Sequence, residues 1–253
     1  MASILAPRFR ASGRAGPRAA PRPPHALPAV TRKDDSVEGT VLTQHLPRAP
    51  GMHRRGATMD SMALHITDDA PADALLTDSP LALLVGMLLD QQVSMETAFA
   101  GPLKIEQRTG SIDAATLAGY DPDALAAVFK ATPAVHRYPG SMAGRVQALC
   151  RTLVDEWGGD AAALWTEGDP DGPTVLKRLK ALPGFGDQKA KIFLALLGKQ
   201  CGFTGAGWRE ASAPYGEEGS FRSVADIVSP ESLAKVRAYK QAAKAAAKGA
   251  VTS

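Results

Sequence analysis

The stretch VLKRLKALPGFGDQKAKIFLALL, residues 175–197, constrains this chain more than any other part of it. Apolar residues recur at helical spacing on both sides of a Leu-Pro-Gly-Phe-Gly interruption. Pro183 prevents the first run from continuing as helix. Gly184 and Gly186 permit backbone angles closed to other residues and admit a second backbone at close range. Phe185, between them, can pack inward and anchor the bend. A second helix then starts near Asp187. Its unpaired amides face the bend, with the positive end of the helix dipole behind them. The reading is an antiparallel helical hairpin whose bend suits an anion, and a phosphate diester in particular. A glycine-capped hairpin without a ligand is the plainer alternative.

The remaining sequence agrees with an all-α fold, because Ala and Leu dominate and β-branched residues are scattered. In SPLALLVGMLLDQQ, Ser79 is an N-cap, Pro80 takes the first helical position, and apolar residues on every side predict a buried helix. SMETAFAGPLKIEQR reads as a following helical stretch, with Ser94 and Thr97 in its first turn. DAATLAG and DPDALAAVFKA each begin on an aspartate cap. Met142, Val146, Leu149, Cys150, Leu153, Val154 and Trp157 repeat at helical spacing until Gly158 stops the run. DAAALW and TVLKRLKAL read as short helices, residues 188–198 as another, and a last helix starts at Ser229-Pro230. The sum is about ten short helices.

The chain has 253 residues, enough for one or two domains, and a net charge of +3, which by itself says little about partners. Residues 1–58 are rich in Arg, Pro, Ala and Gly, too few apolar groups to offset chain entropy, so disorder is expected there. An Arg-rich, acid-poor start resembles a transit peptide, but serines are few. An over-extended start is the competing account, with Met59 or Met62 as natural beginnings. A basic arm touching DNA is a third. The expected organisation is this segment, a helical domain over residues 59–228, and a basic C-terminal helix and tail over residues 229–253. The two cysteines, Cys150 and Cys201, form no CxxC pair and have no His/Cys cluster. A structural zinc or four-cysteine iron–sulfur site is thereby excluded, and neither metal nor cofactor is expected. Free thiols point to a reducing cytoplasm. No apolar run approaches the ~20 residues that span a bilayer, so no membrane partner is expected.

Leu179 and Leu182 before the bend, and Ala190, Ile192 and Phe193 after it, make this hairpin resemble the helix-hairpin-helix motif. A second stretch, LLDQQVSMETA at residues 88–98, is similar to the apolar helix running into Gln-Gln-x-Ser near the start of the helix-hairpin-helix (HhH-GPD) base-excision DNA glycosylase superfamily. The order of the two motifs and their separation of about ninety residues also resemble that family, over about residues 75–215. The resemblance implies two helical lobes with double-stranded DNA across the cleft, in a monomeric, nucleoid-associated repair protein. Pro183, Gly184, Phe185, Gly186, Asp187, Gln188 and Lys189 would grip backbone phosphate. Gln91 or Gln92, with Ser94 nearby, would enter the minor groove and fill the space left by an everted base. The implied activity is hydrolysis of the glycosidic bond of a damaged base.

The sequence departs from the family at two chemical positions. The carboxylate that stabilises the oxocarbenium-like sugar should fall at Gly205 to Gly207, where there is none. Glu210 is the nearer substitute and Asp226 the more distant one. The lysine that forms a Schiff base in family members with lyase activity is matched by Gln188, whose amide is not nucleophilic. Lys189 is adjacent but turned about 100° around the helix. Base removal without strand cleavage is therefore expected. The alternative is a catalytically inactive DNA-structure binder on the same scaffold; a helical interaction protein is a third reading. Arg237, Lys240, Lys244 and Lys248 form a stripe that suits phosphates or plain solvent. Trp208, Tyr215, His136 and Tyr138 are candidates for base stacking. Gly140 and Ser141, near Arg137 and Arg145, suggest a second phosphate contact.

Overall fold

The computed structural model describes residues 63–251, which fold as twelve α-helices and one 3₁₀ turn with no strand among them. The segment 1–58, expected to be disordered, lies outside the described residues. Helix contacts fall into two sets built on one continuous apolar core.

The first set gathers around α2 (Pro80–Leu89), which follows α1 (Ala70–Asp78). Ser79 caps α2 by accepting from the Ala82 amide at 3.1 Å, and every residue from Leu81 to Leu89 is buried. A helix apolar all round can only be a core helix. Against it pack α1, α3 (Met95–Phe99), α4 (Gly101–Thr109) and α7 (Pro139–Trp157). The stretch expected to run on from Ser94 as one element is broken at Ala100. Pro102 supplies no N–H to bridge the break. A Cβ on Gly101 would lie 2.5 Å from Leu89 Cδ1, so the chain turns where it presses on α2. Helices α5 (Ala114–Gly119) and α6 (Pro122–Lys130), capped by Asp113 and Asp121, lie on α7. Gly158 ends α7 in a left-handed conformation, φ 60°.

The second set contains α8 (Ala163–Thr166), α9 (Gly172–Ala181), α10 (Asp187–Gln200), α11 (Trp208–Ala211) and the 3₁₀ turn Val224–Asp226. Helices α9 and α10 form the hairpin read from the sequence. Short α11 lies across both, and Trp208 is its anchor. A Cβ on Gly198 would meet the Trp208 ring at 2.4 Å, and one on Gly172 would meet the Trp208 Cα at 2.3 Å. Trp208 is thus a packing residue, with Arg209 over its ring, and not a free stacking platform. The last helix, α12 (Pro230–Val251), is capped at Ser229 and buries Leu233 and Val236, so its first half belongs to the helical body.

Cys150 and Cys201 are both buried free thiols, and burial pushes each up to about 12. Such thiols are inert core groups.

Candidate nucleic-acid interface

The bend between α9 and α10 lies at the surface. Leu182 and Phe185 turn inward, Phe185 edge-on to Phe193 with ring centroids 6.1 Å apart. Gly184, Gly186, Asp187 and Gln188 are exposed, and Pro183 and Lys189 are half-buried. The first amide of α10 to find a helical acceptor is that of Ala190, on the Gly186 carbonyl at 3.0 Å. The amides of Asp187, Gln188 and Lys189 thus have no intrahelical acceptor and face the bend. The Asp187 carboxylate, which would repel an anion, is held by Lys180 at 2.8 Å and Lys191 at 3.0 Å. The hydrogen bonds from these two lysines keep it below its ordinary value. Gln188 turns aside to donate to the Tyr215 hydroxyl at 3.0 Å.

The two sequence motifs, about ninety residues apart, meet here. Gly184 has φ 81°, and a Cβ on it would lie 2.4 Å from Leu88 Cδ1. Lys189 reaches back across the same contact. Its Nζ donates to the Met87 and Leu88 carbonyls at 2.8 and 2.7 Å, closing the C-terminal end of α2. The Gln91–Gln92 loop therefore sits beside the bend. In that loop the two glutamines differ. Gln91 donates from Nε2 to the Leu88 carbonyl at 2.8 Å and accepts from Arg145 at 2.8 Å, so both ends of its amide are occupied. Gln92 is exposed with φ 57°, a left-handed conformation costing a non-glycine residue about 1–2 kcal/mol. Ser94 caps α3, accepting from the Thr97 amide at 3.2 Å.

Burial pushes Lys189 down to about 8, with Asp90 opposing the shift and Arg145 adding to it. The folded protein thus holds this proton less tightly than the unfolded chain, whose lysine titrates near 10.5. Stability rises with pH wherever the unfolded state binds more protons. The wild type should therefore gain stability as pH climbs from about 8 toward 10.5. Lys189→Met loses both carbonyl contacts at every pH and abolishes that gain, which denaturant titrations of both proteins at neutral and alkaline pH will compare.

The basic stripe of α12 divides. Arg237 donates to Glu96 at 2.6 Å and Asp68 at 2.9 Å, and Lys240 lies 3.7 Å from Asp90. Burial raises the Glu96 carboxyl, but the Arg237 hydrogen bond and charge bring it below its ordinary value. These two cations latch α12 to the body beside the Gln91–Gln92 loop. Lys244 remains exposed, and the side chain of Lys248 lies outside what is described. The aromatic candidates also separate. His136 is buried, while Tyr138 is exposed, with Arg137 over its ring at 5.5 Å. Gly140 and Ser141 are exposed at the start of α7.

The two candidate carboxylates have opposite settings. Asp226 is buried and its oxygens take four donors: Lys199 at 2.6 Å and Ser220 at 3.0 Å on one, the Arg222 and Ser223 amides at 2.8 and 3.0 Å on the other. With Ser223 it forms a capping box that holds the 3₁₀ turn. Glu210 is exposed on α11, and Arg209 pairs with Glu218 in preference to it. Asp90 is not singled out from the sequence, and Arg145 is read there only as a neighbour of the Gly140–Ser141 phosphate contact. Asp90 and Arg145 flank Lys189 and the glutamine loop, and only the folded chain brings them there. The capping role of Asp226 had a readable signal in the Ser223-x-x-Asp226 spacing.

Among the described residues no three His, Cys, Asp or Glu side chains converge as a metal site, and no single helix is long and apolar enough to cross a membrane. The class defined by fold and surface is an all-α protein carrying an exposed glycine hairpin beside a polar glutamine loop. No family model, curated protein or solved structure matches the chain.

Proposed function

We propose that this chain binds double-stranded DNA and removes a damaged base, acting as a monofunctional glycosylase of the helix-hairpin-helix class. The observation that supports this reading is the contact of Gly184 and Lys189 with the end of α2, which sets the hairpin and the glutamine loop side by side. A backbone phosphate would lie on the amides of Asp187, Gln188 and Lys189. Gln92, exposed and held only through its Oε1 by the Tyr138 hydroxyl, would occupy the gap left by the everted base. Glu210 is the carboxylate left free to steady the developing positive charge on the sugar and to activate water. Gln188 provides no nucleophilic amine, so the reaction stops at base removal.

The second reading, an inactive binder of damaged DNA structure, is favoured by one observation. Asp226 is consumed by four structural donors, and Glu210 stands exposed on the surface of α11. Base release from a panel of lesion-containing duplexes separates the two. The glycosylase reading expects release from at least one lesion, slowed roughly 100-fold or more by Glu210→Gln. It also expects intact strands until alkali is added. Release from none of the lesions, with binding retained, leaves the inactive binder. Release unaffected by Glu210→Gln removes Glu210 from the mechanism.

A further inference from the structure

His136 stands outside both motifs, yet it touches the glutamine loop at its main chain. It is only 2% exposed. Its Nδ1 accepts the Tyr138 amide at 3.0 Å, so the ring proton sits on Nε2, which donates to the Gln91 carbonyl at 2.8 Å. One imidazole therefore fixes two points: the backbone of Gln91, 45 residues earlier, and the backbone of Tyr138. The Tyr138 hydroxyl in turn donates to Gln92 Oε1 at 3.2 Å. Arg145 completes the frame from α7 by holding the Gln91 side chain.

We infer that His136 is a positioning residue that presets Gln92 for insertion into a gapped duplex. The inference rests on the DNA reading above. Its physical content is preorganisation. Gln92 has a left-handed backbone and an exposed side chain, so a loop held only at its ends would relax to other conformations. Binding would then bear the cost of ordering it. With Gln91 held at carbonyl and side chain, the strained neighbour has one direction to point. His136 does this without touching DNA, since it is buried beneath the loop.

Two duplexes test the idea with the full chain. One carries a tetrahydrofuran abasic analogue opposite 2-aminopurine, whose fluorescence rises when a side chain enters the gap and unstacks it. The other is intact and reports backbone binding through the hairpin. Three variants are compared: His136→Ala, His136→Gln, which keeps a donor near the Nε2 position, and His136→Asn, whose shorter amide can place its oxygen near Nδ1 but brings no donor to the Nε2 position. His136→Ala should bind intact duplex like wild type but lose preference for the gapped duplex roughly tenfold, with little fluorescence rise. His136→Gln should restore most of that preference, and His136→Asn should not. Equal gap preference in wild type and His136→Ala overturns the inference, as does failure of the glutamine variant to outperform asparagine. Parallel loss on both duplexes, accompanied by a lowered melting temperature, also overturns it, because the role is then merely structural. No binding of wild type to either duplex removes the DNA reading itself, and this inference with it.

Discussion

Asp226→Ala should cost about 3 kcal/mol of folding free energy, the loss seen when one member of a buried ion pair is removed. Its partner Lys199 is itself mostly buried, 14% exposed at the side chain. That lysine would keep the Glu217 carbonyl at 2.6 Å and Ser220 at 3.2 Å, which limits the loss to the lower end of the range for such pairs. The Arg222 and Ser223 amides would have no replacement acceptor, and the 3₁₀ turn would lose its capping box. Asparagine offers little rescue. Lys199 and Ser220 donate to one oxygen and two amides to the other, so an NH₂ group meets donors whichever way it turns. For a body of this size the melting temperature should fall by roughly 6–12 °C. Calorimetry of wild type, Asp226→Ala and Asp226→Asn checks this. A variant that melts like wild type would show the network to be dispensable and return Asp226 to the list of candidate acids. Loss of base release in these variants, measured near their melting temperatures, reports unfolding and not acid catalysis.

Helix starts were legible because punctuation is local chemistry: Ser79-Pro80, Asp113, Asp121 and Ser229-Pro230 all act as caps within three residues of themselves. The bend was legible for the same reason, since Gly184 at positive φ and buried Phe185 are properties of five adjacent residues. What was not legible depends on distant partners. Arg237 and Lys240 share a stripe that suits phosphate, yet their partners Asp68, Glu96 and Asp90 lie far back in the chain, and their charges are spent on the body. Lys189 reads as one of the hairpin residues that grip backbone phosphate. Its role as the tie between α10 and α2 follows from two carbonyls that no spacing rule connects to it. Trp208 and His136 look alike as loop aromatics until Gly198 and the Gln91 carbonyl show what each is packed or bonded against. Functional surfaces draw on groups that local packing leaves unused, and only the tertiary fold reveals which groups those are.

Gly186→Glu should abolish most duplex binding while leaving the fold intact, and the two glycines of the bend differ in why this is so. Gly184 has φ 81° and its missing Cβ would press on Leu88 at 2.4 Å. Any side chain there strains the backbone and pushes α2 away, so Gly184→Ala should destabilise by roughly 1–3 kcal/mol and change binding only indirectly. Gly186 has φ −78° and ψ 174°, ordinary extended values, and nothing within 4 Å of its missing Cβ. A side chain there meets open space. Its carbonyl still accepts from Ala190, so the start of α10 is undisturbed. Gly186→Ala should therefore fold and bind like wild type, within about 0.5 kcal/mol in stability. Gly186→Glu adds a negative charge beside the amides of Asp187, Gln188 and Lys189, where the phosphate would sit. A lost charge-assisted contact is worth about 1.5–3 kcal/mol, so affinity for an undamaged duplex should fall roughly 10- to 100-fold at moderate salt. The neutral alanine serves as the control that separates charge from bulk. Fluorescence anisotropy across a salt series, with melting curves for each variant, decides the matter. If Gly186→Glu folds like wild type and binds the duplex equally well, the bend carries no phosphate, and what remains is a helical hairpin whose glycines serve packing alone.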